Sequence, residues 1–325
     1  MIDIDPAVFR PSSISEETSR FNADLLARIT ALPDPWQYQP SAAREARARG
    51  RGPFPVPRKS PRAEVRTIDG PAGDIPIRVI RPEGRDCRGA YLHIHGGGWV
   101  LGSAYFQDDR LEQIADDCGL AAVSVDYRLA PEDPYPAGPD DCEAAALWLV
   151  DNLEKEFGGS FLAIGGESAG AHLSVVTLLR LRDRRGITPF SAANLVAGCY
   201  DLAMTPSVRH WGADRLVLNT RDIDMFVTHF LSGGVGSVSD PDVSPLLHAD
   251  LYGLPPALFS VGTLDPLVDD SLFMAGRWAR AGLKTELALF AGGCHVFQAF
   301  DELAITRESL ARMDAFLNAQ IEKAE

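Results

Sequence analysis

Gly165-Gly166-Glu167-Ser168-Ala169-Gly170 stands between the apolar run Phe161-Leu162-Ala163-Ile164 and a helical pattern marked by Leu173, Val176 and Leu179. A short apolar run, a cluster of small residues and a periodicity near 3.6 read as strand, turn and helix. Small residues at Gly166 and Gly170 let the chain turn sharply, so that Ser168 sits in strained backbone with its hydroxyl exposed above a sheet. The helix that starts there aims unpaired N–H groups and its positive dipole end at the same place, where developing negative charge is favoured. A G-x-S-x-G turn taken alone is also a common structural connection, so its weight depends on what surrounds it.

Outward from this turn, strand and helix alternate. Upstream, strand signals occupy 63–68, 75–80 and 90–95, the first two forming a hairpin or meander. A β-branched run follows at 120–126, then a helical pattern at 142–153 after Pro139. Downstream come a strand at 194–199, another at 256–261, a helix at 268–281, a strand at 284–290 and a closing helix at 300–322. This order implies an α/β fold with a mostly parallel sheet and helices on both faces. The helix after Ser168 runs into Arg180, Arg182, Arg184, Arg185 and Gly186. Cations suit the negative end of a helix and glycine suits its stop, so these arginines read as structural. Residues 203–250 break the alternation with a helical piece near 222–231 and a glycine-rich stretch at 233–236, and an insertion of this length between strands is usually functional. Near the N-terminus, 11–32 reads as a helix, with Ser13-Ile14-Ser15-Glu16 as a capping box and Phe21, Leu25 and Ile29 on one face. Prolines and glycines crowd 33–61, which predicts little regular structure there. The chain thus divides into an accessory region at 1–60, a catalytic α/β domain of 61–202 and 251–325, and an insertion at 203–250.

With 325 residues the chain is long enough to bury a substantial core. It carries 31 Lys and Arg against 45 Asp and Glu, a net charge of −14. That balance argues against nucleic acid or anionic membrane as a general partner. Five scattered cysteines, Cys87, Cys118, Cys142, Cys199 and Cys294, form no C-x-x-C pair. They read as reduced thiols of a cytoplasmic protein. The start Met1-Ile2-Asp3-Ile4-Asp5-Pro6 lacks the basic and apolar regions of a secretory signal, and no run is long enough to span a bilayer. Arg44, Arg47, Arg49 and Arg51 form a charge cluster whose simplest reading is a solvated, mobile segment.

A serine hydroxyl is a poor nucleophile at neutral pH unless a base lies within hydrogen-bond reach and an acid orients that base. Val261-Gly262-Thr263-Leu264-Asp265 places an acid just past one strand, and Gly292-Gly293-Cys294-His295 places a base just past the next. In open parallel sheets such groups gather at the carboxyl ends of strands, which brings Ser168, Asp265 and His295 together. The chain order Ser, Asp, His is that of α/β-hydrolases. Tyr91-Leu92-His93-Ile94-His95-Gly96-Gly97-Gly98-Trp99 supplies backbone N–H groups that an oxyanion can approach without side chains in the way. Leu101 stands where a dinucleotide-binding G-x-G-x-x-G needs glycine, and there is no phosphate-binding loop, so no cofactor is expected. His93 and His95 share one strand face but have no acidic or cysteine cluster beside them, so no metal is expected; His95 instead orders the glycine loop. Asp269 and Asp270 are rival acids inside a helical stretch, and His172 is a rival base one turn beyond Ser168, too close in sequence to swing back over the hydroxyl. Trp99 reads equally as acyl-pocket wall or core anchor. Phe226, Phe230 and Leu231 read as a core stripe that could also face substrate. Cys294 reads as neutral packing.

Together, His95-Gly96-Gly97-Gly98, Tyr127-Arg128-Leu129-Ala130-Pro131-Glu132, Gly166-Glu167-Ser168-Ala169-Gly170, Asp265-Pro266-Leu267 and His295 resemble a bacterial member of the hormone-sensitive lipase-like family, the family IV carboxylesterases, of the α/β-hydrolase superfamily. The resemblance covers roughly residues 60 to 325. It implies an eight-stranded sheet, a helical cap built from 1–60 and 203–250, and carboxylesterase activity on small short-acyl esters without a cofactor. It also implies an oxyanion hole made by the backbone N–H groups of Gly97, Gly98 and Ala169. The sequence departs from the family pattern at Glu167, where Asp is common, and at Ala171-His172, where Gly-Asn is common. An amidase, formamidase or carbamate hydrolase would use the same triad. A non-catalytic small-molecule receptor is the reading from another class, and the presence of His295 stands against it. The closing strand at 284–290 would be an unpaired sheet edge that a homodimer could cover.

Overall fold

A computed structural model describes residues 2–324; Met1 and Glu325 lie outside the described residues. The first long element is α1 (Glu16–Thr30), which turns Leu25 and Ile29 inward. Its cap is Ser15, whose hydroxyl accepts from the Thr18 N–H at 3.1 Å, and not the expected Ser13. Pro11–Ser13 winds a separate 3-10 turn, in which the Ser13 hydroxyl donates to the Ala7 carbonyl at 2.6 Å. A second departure is α2 (Pro40–Ala48), a helix inside the proline-rich stretch. Proline density misleads there because Pro40 occupies the first turn, where its missing N–H costs nothing, and alanines carry the rest.

The sheet begins with β1 (Glu64–Gly70) and β2 (Gly73–Ile80), an antiparallel hairpin that closes at Gly70 opposite Gly73. Then follow β3 (Gly89–Ile94), α3 (Asp108–Cys118), β4 (Leu120–Val125), α4 (Ala137–Phe157), β5 (Phe161–Glu167), α5 (Ala169–Arg185) and β6 (Ala192–Val196). After α6 (Pro206–Trp211) and α7 (Thr220–Phe230), the chain completes β7 (Ala257–Gly262), α8 (Val268–Arg280), β8 (Thr285–Phe290) and α9 (Ala304–Ala324). The eight strands lie in the order β1-β2-β4-β3-β5-β6-β7-β8. β2 runs antiparallel to β4, and from there to β8 every neighbouring pair is parallel.

The central strands β3, β4 and β6 are buried at every position, because helices cover both faces. One core joins the sheet to α4, α5 and α8 through Leu149, Leu173, Met274 and Trp278. The other joins it to α3, α9 and α1 through Leu111, Met313, Leu317 and Leu25. The arginines ending α5 are structural, as their position suggests. Arg180, 2% exposed, holds Asp242 at 2.6 Å and Asp140 at 2.8 Å, and Arg185 holds Glu143 at 2.8 Å.

Residues before the sheet are tied to the 203–250 stretch. Trp36 donates its indole N–H to Asp222 at 2.6 Å, and Arg221 pairs with Asp34 at 2.7 Å. The Arg44 to Arg51 cluster splits: Arg49 and Arg51 are exposed, as its charge suggests, whereas Arg44 and Arg47 are half-buried against the rest of the protein. Arg44 donates to the carbonyls of Val100 and Ala130 at 2.7 Å each and pairs with Glu132 at 2.7 Å. No helix among the described residues is long and apolar enough to cross a membrane.

Candidate active site

Six parallel strands, β3 to β8, end on one rim, and Ser168, Asp265 and His295 follow three of them. At the end of β5, Ser168 adopts φ 57° and ψ −121°, a conformation that a residue with a side chain rarely occupies. Neighbouring contacts hold it there. A Cβ at Gly166 or Gly170 would collide with the Ile94 carbonyl, so only glycine lets β5, β3 and α5 meet this closely. The Ser168 N–H donates to the Val196 carbonyl at 2.8 Å, and the Ser168 carbonyl accepts the His172 N–H at 3.1 Å as α5 begins.

The other two members arrive from β7 and β8. Asp265 is fully buried, and its Oδ1 accepts the Leu267 N–H at 2.9 Å. His295 Nδ1 lies 2.9 Å from Asp265 Oδ2 and 3.1 Å from Oδ1. Its Nε2 lies 3.0 Å from the Ser168 hydroxyl. A carboxylate can only accept, so Nδ1 carries the proton and Nε2 presents a lone pair to the serine. Residues 127 and 30 positions apart thus form one hydrogen-bonded line.

Opposite this line runs the glycine loop after β3. Gly97 and Gly98 have φ 123° and 61°. A Cβ on Gly98 would run into the Phe226 ring, so this backbone can approach a ligand only as glycine. Among the described residues the N–H groups of Gly97, Gly98 and Ala169 donate to no protein acceptor, in contrast with that of Ser168. His95 anchors the loop as its position suggests: Nδ1 lies 2.9 Å from the Gly96 carbonyl, and its ring stacks on Tyr127 at 4.2 Å. Tyr127 also donates its hydroxyl to the His95 carbonyl at 2.8 Å.

A second anchor escapes the sequence reading. Glu167 accepts the Gly96 N–H at 2.7 Å on Oε1 and faces His93 Nε2 at 3.0 Å on Oε2, while His93 Nδ1 meets the Ser124 hydroxyl at 3.1 Å. Burial pushes the Glu167 carboxyl upward. The His93 charge, and hydrogen bonds from His93 and Gly96, outweigh burial and hold it below the ordinary carboxylate value. The signal for this link was the register: His93 pairs with Gly165 across β3 and β5, two positions before Glu167. The longer side chain at 167 therefore fastens the glycine loop to the serine turn.

The rival groups are engaged elsewhere. Asp270 is buried and accepts from the Tyr200 and Asp201 N–H groups and the Thr205 hydroxyl; burial raises its carboxyl to about 7. Asp269 accepts the Ser207 N–H at 2.8 Å. His172 accepts the Trp99 indole N–H on Nδ1 at 3.0 Å and donates from Nε2 to the Val243 carbonyl at 2.8 Å. Trp99 is both anchor and wall: it is buried, stacks on Phe230 at 4.8 Å and reaches the cavity. Phe226 lines the cavity, while Phe230 packs in the core. Cys294 is buried, which pushes its thiol up to about 12.

Burial lowers the His172 imidazole to about 4 from an ordinary 6.5. The unfolded chain then binds the extra proton more readily, so stability is present above the unfolded value and falls as pH drops toward the folded one. Each pH unit between them is worth about 1.4 kcal/mol. Urea unfolding of the wild type between pH 7 and pH 4 should lose about 3 kcal/mol more than that of His172→Gln. Parallel pH curves for the two proteins would contradict this placement.

A cavity of about 770 Å³ opens over Ser168 and His295, with Trp36, Val217, Leu218 and Phe226 among its walls. The family described as having the alpha/beta hydrolase fold matches residues 91–299. Carboxylic ester hydrolase LipN of Mycobacterium tuberculosis is 37% identical over 237 residues, which is 71% of this chain and 63% of that protein. Among solved structures, a hyperthermophilic esterase from Pyrobaculum calidifontis superposes with a TM-score of 0.82 at 29% identity, covering 94% of this chain and 98% of its own. An esterase from the bacterial hormone-sensitive lipase family superposes with a TM-score of 0.79 at 30% identity, covering 95% and 99%. A shared fold and these identities place the chain in the α/β-hydrolase family, within its hormone-sensitive lipase-like branch.

Proposed function

We propose that the protein is a serine carboxylesterase that hydrolyses small short-acyl esters through an acyl-enzyme. The carrying observation is the line from Asp265 through His295 to Ser168, which ends in the cavity opposite three N–H groups without protein acceptors. In this reading Ser168 attacks the ester carbonyl while His295 Nε2 takes the hydroxyl proton. The oxyanion that forms is met by the N–H groups of Gly97, Gly98 and Ala169 and by the positive end of α5. Collapse of that intermediate expels the alcohol, which takes the proton from His295. Water then repeats the attack on the acyl-serine, releases the acid and restores the hydroxyl. Asp265 keeps the proton on Nδ1 and steadies the imidazolium. The balance is one ester and one water for one acid and one alcohol, with no cofactor or metal.

The names of relatives as ester hydrolases support the ester as substrate. Residues 1–60 and 203–250 act as a two-part cap over a hydrolase domain of 61–202 and 251–325. Support comes from the Trp36–Asp222 and Asp34–Arg221 links and from the presence of both segments in the cavity wall. A cytoplasmic location fits the five unpaired cysteines, and a homodimer would cover the β8 edge.

An aryl phosphonate tests the reading, because it needs an activated serine and leaves a stable adduct. One adduct per chain, mapped to the Ser168 peptide, should appear in step with loss of p-nitrophenyl butyrate hydrolysis. Full inhibition with Ser168 unmodified, or continued hydrolysis with Ser168 fully blocked, would overturn the proposal.

A further inference from the structure

The cavity above Ser168 contains a cation that the esterase mechanism does not use. Two of the four arginines in the cavity wall are engaged: Arg110 by Asp314 at 2.5 Å and Arg215 by Asp222 at 2.5 Å. Arg47, in the last turn of α2, lines the same cavity and has no ion-pair partner among the described residues. Its Nε is buried without an acceptor. The guanidinium carbon lies 4.9 Å from the centroid of Phe54 and 5.3 Å from that of Phe106. Both rings are braced in turn. Phe54 stacks on Phe300 at 5.7 Å, and Phe106 meets Tyr105 edge-on at 4.8 Å.

Aromatic faces attract a cation but accept none of its N–H groups in the guanidinium plane. Arg47 is therefore held in place and left unneutralised. The carboxylate with the largest through-space effect on it is Glu167, which opposes the downward pull of burial on its pKa. Both Glu167 oxygens are already engaged by Gly96 and His93. A charge withdrawn from water without a partner is costly unless a ligand supplies the partner. The planar fork of arginine matches a carboxylate through two parallel hydrogen bonds. Arg51, exposed and also in the cavity wall, adds a second positive charge. On a chain of net charge −14, long-range attraction of anions is absent, so any recognition of an anion has to be local.

We propose, resting on the esterase reading, that the preferred substrates are esters bearing a free carboxylate, and that Arg47 binds that carboxylate. Arg47 is a specificity residue in this account and takes no part in proton transfer. The chemistry of the step is unchanged: the carboxylate is a bystander that positions the scissile ester.

Two pairs of esters test the proposal and separate the side on which the carboxylate sits. p-Nitrophenyl hemiglutarate is compared with its neutral methyl ester, and 4-carboxyphenyl butyrate with its methyl ester. In at least one pair the wild type should favour the anion in kcat/KM by about tenfold or more, chiefly through KM. Arg47→Gln should lower that ratio about tenfold, and Arg47→Lys should restore part of it. As a measurement that needs no variant, glutarate should inhibit neutral-ester turnover competitively and more tightly than glutaramide. Equal ratios in wild type and Arg47→Gln for both pairs, as for an arginine that only balances Glu167, would overturn the inference. Equal inhibition by glutarate and glutaramide would do the same. Turnover of none of the four esters by the wild type would instead overturn the esterase reading.

Discussion

Ser168→Ala should lower kcat for p-nitrophenyl butyrate by about 10⁵ to 10⁶-fold. The expected loss is this large because the thiol in the cavity wall, Cys199, is buried and pushed well above its ordinary value, and it donates to no base among the described residues. Among the described residues His295 Nε2 has no partner but the Ser168 hydroxyl, at 3.0 Å, and His172 is committed to Trp99 and Val243. What survives is binding plus the N–H groups of Gly97, Gly98 and Ala169, which together sustain about 10³ to 10⁴ over water in a triad enzyme. Alanine keeps the backbone at φ 57° no less comfortably than serine, and the Ser168 N–H bond to Val196 remains. The variant should therefore melt within a few degrees of the wild type, which separates lost chemistry from lost fold. His295→Ala should lose a similar factor, and the double variant hardly more, because the two act as one unit. A Ser168→Ala enzyme within tenfold of wild type would remove the serine from the mechanism.

The strand-turn-helix around Ser168 was legible because each part carries its own local signal: an apolar run, small residues and a 3.6-residue period. The parallel sheet followed from the alternation, and the two glycine-flanked positions of Asp265 and His295 followed from strand ends. Errors gathered where a local signal had two readings. Ser13 has Glu16 at capping-box distance while Ser15 has Thr18, yet the Pro11 turn ties Ser13 to Ala7 and leaves Ser15 as the cap. Pro40 reads as a helix breaker by composition but starts α2 by position.

The missed part of the site depends on pairing between distant segments. Nothing near Glu167 in sequence says that His93 lies beside it; the β3–β5 register does. Likewise, Arg47 looks like one of four similar arginines until the fold gives Arg44 a carboxylate and Arg47 two aromatic rings. Periodicity reports which face of an element is buried, but not which charge meets which.

Asp265→Asn should lower kcat by about 10⁴-fold while leaving KM near the wild-type value. Asparagine has nearly the shape of aspartate, so the buried site should keep its packing. Its chemistry differs in one respect that matters. Asp265 Oδ1 accepts the Leu267 N–H at 2.9 Å, which orients the corresponding amide oxygen of asparagine toward that donor. The amide NH₂ then takes the Oδ2 position, 2.9 Å from His295 Nδ1, and donates where the carboxylate accepted. Imidazole answers by moving its proton to Nε2, so the nitrogen facing Ser168 becomes a donor and cannot take the hydroxyl proton. The prediction has two readouts that must agree: kcat, and the ¹⁵N shifts of His295, which should show the Nε2–H tautomer in the variant and the Nδ1–H tautomer in the wild type. A variant that keeps the Nδ1–H tautomer, or loses less than tenfold in kcat, would show that Asp265 does not set the state of the base.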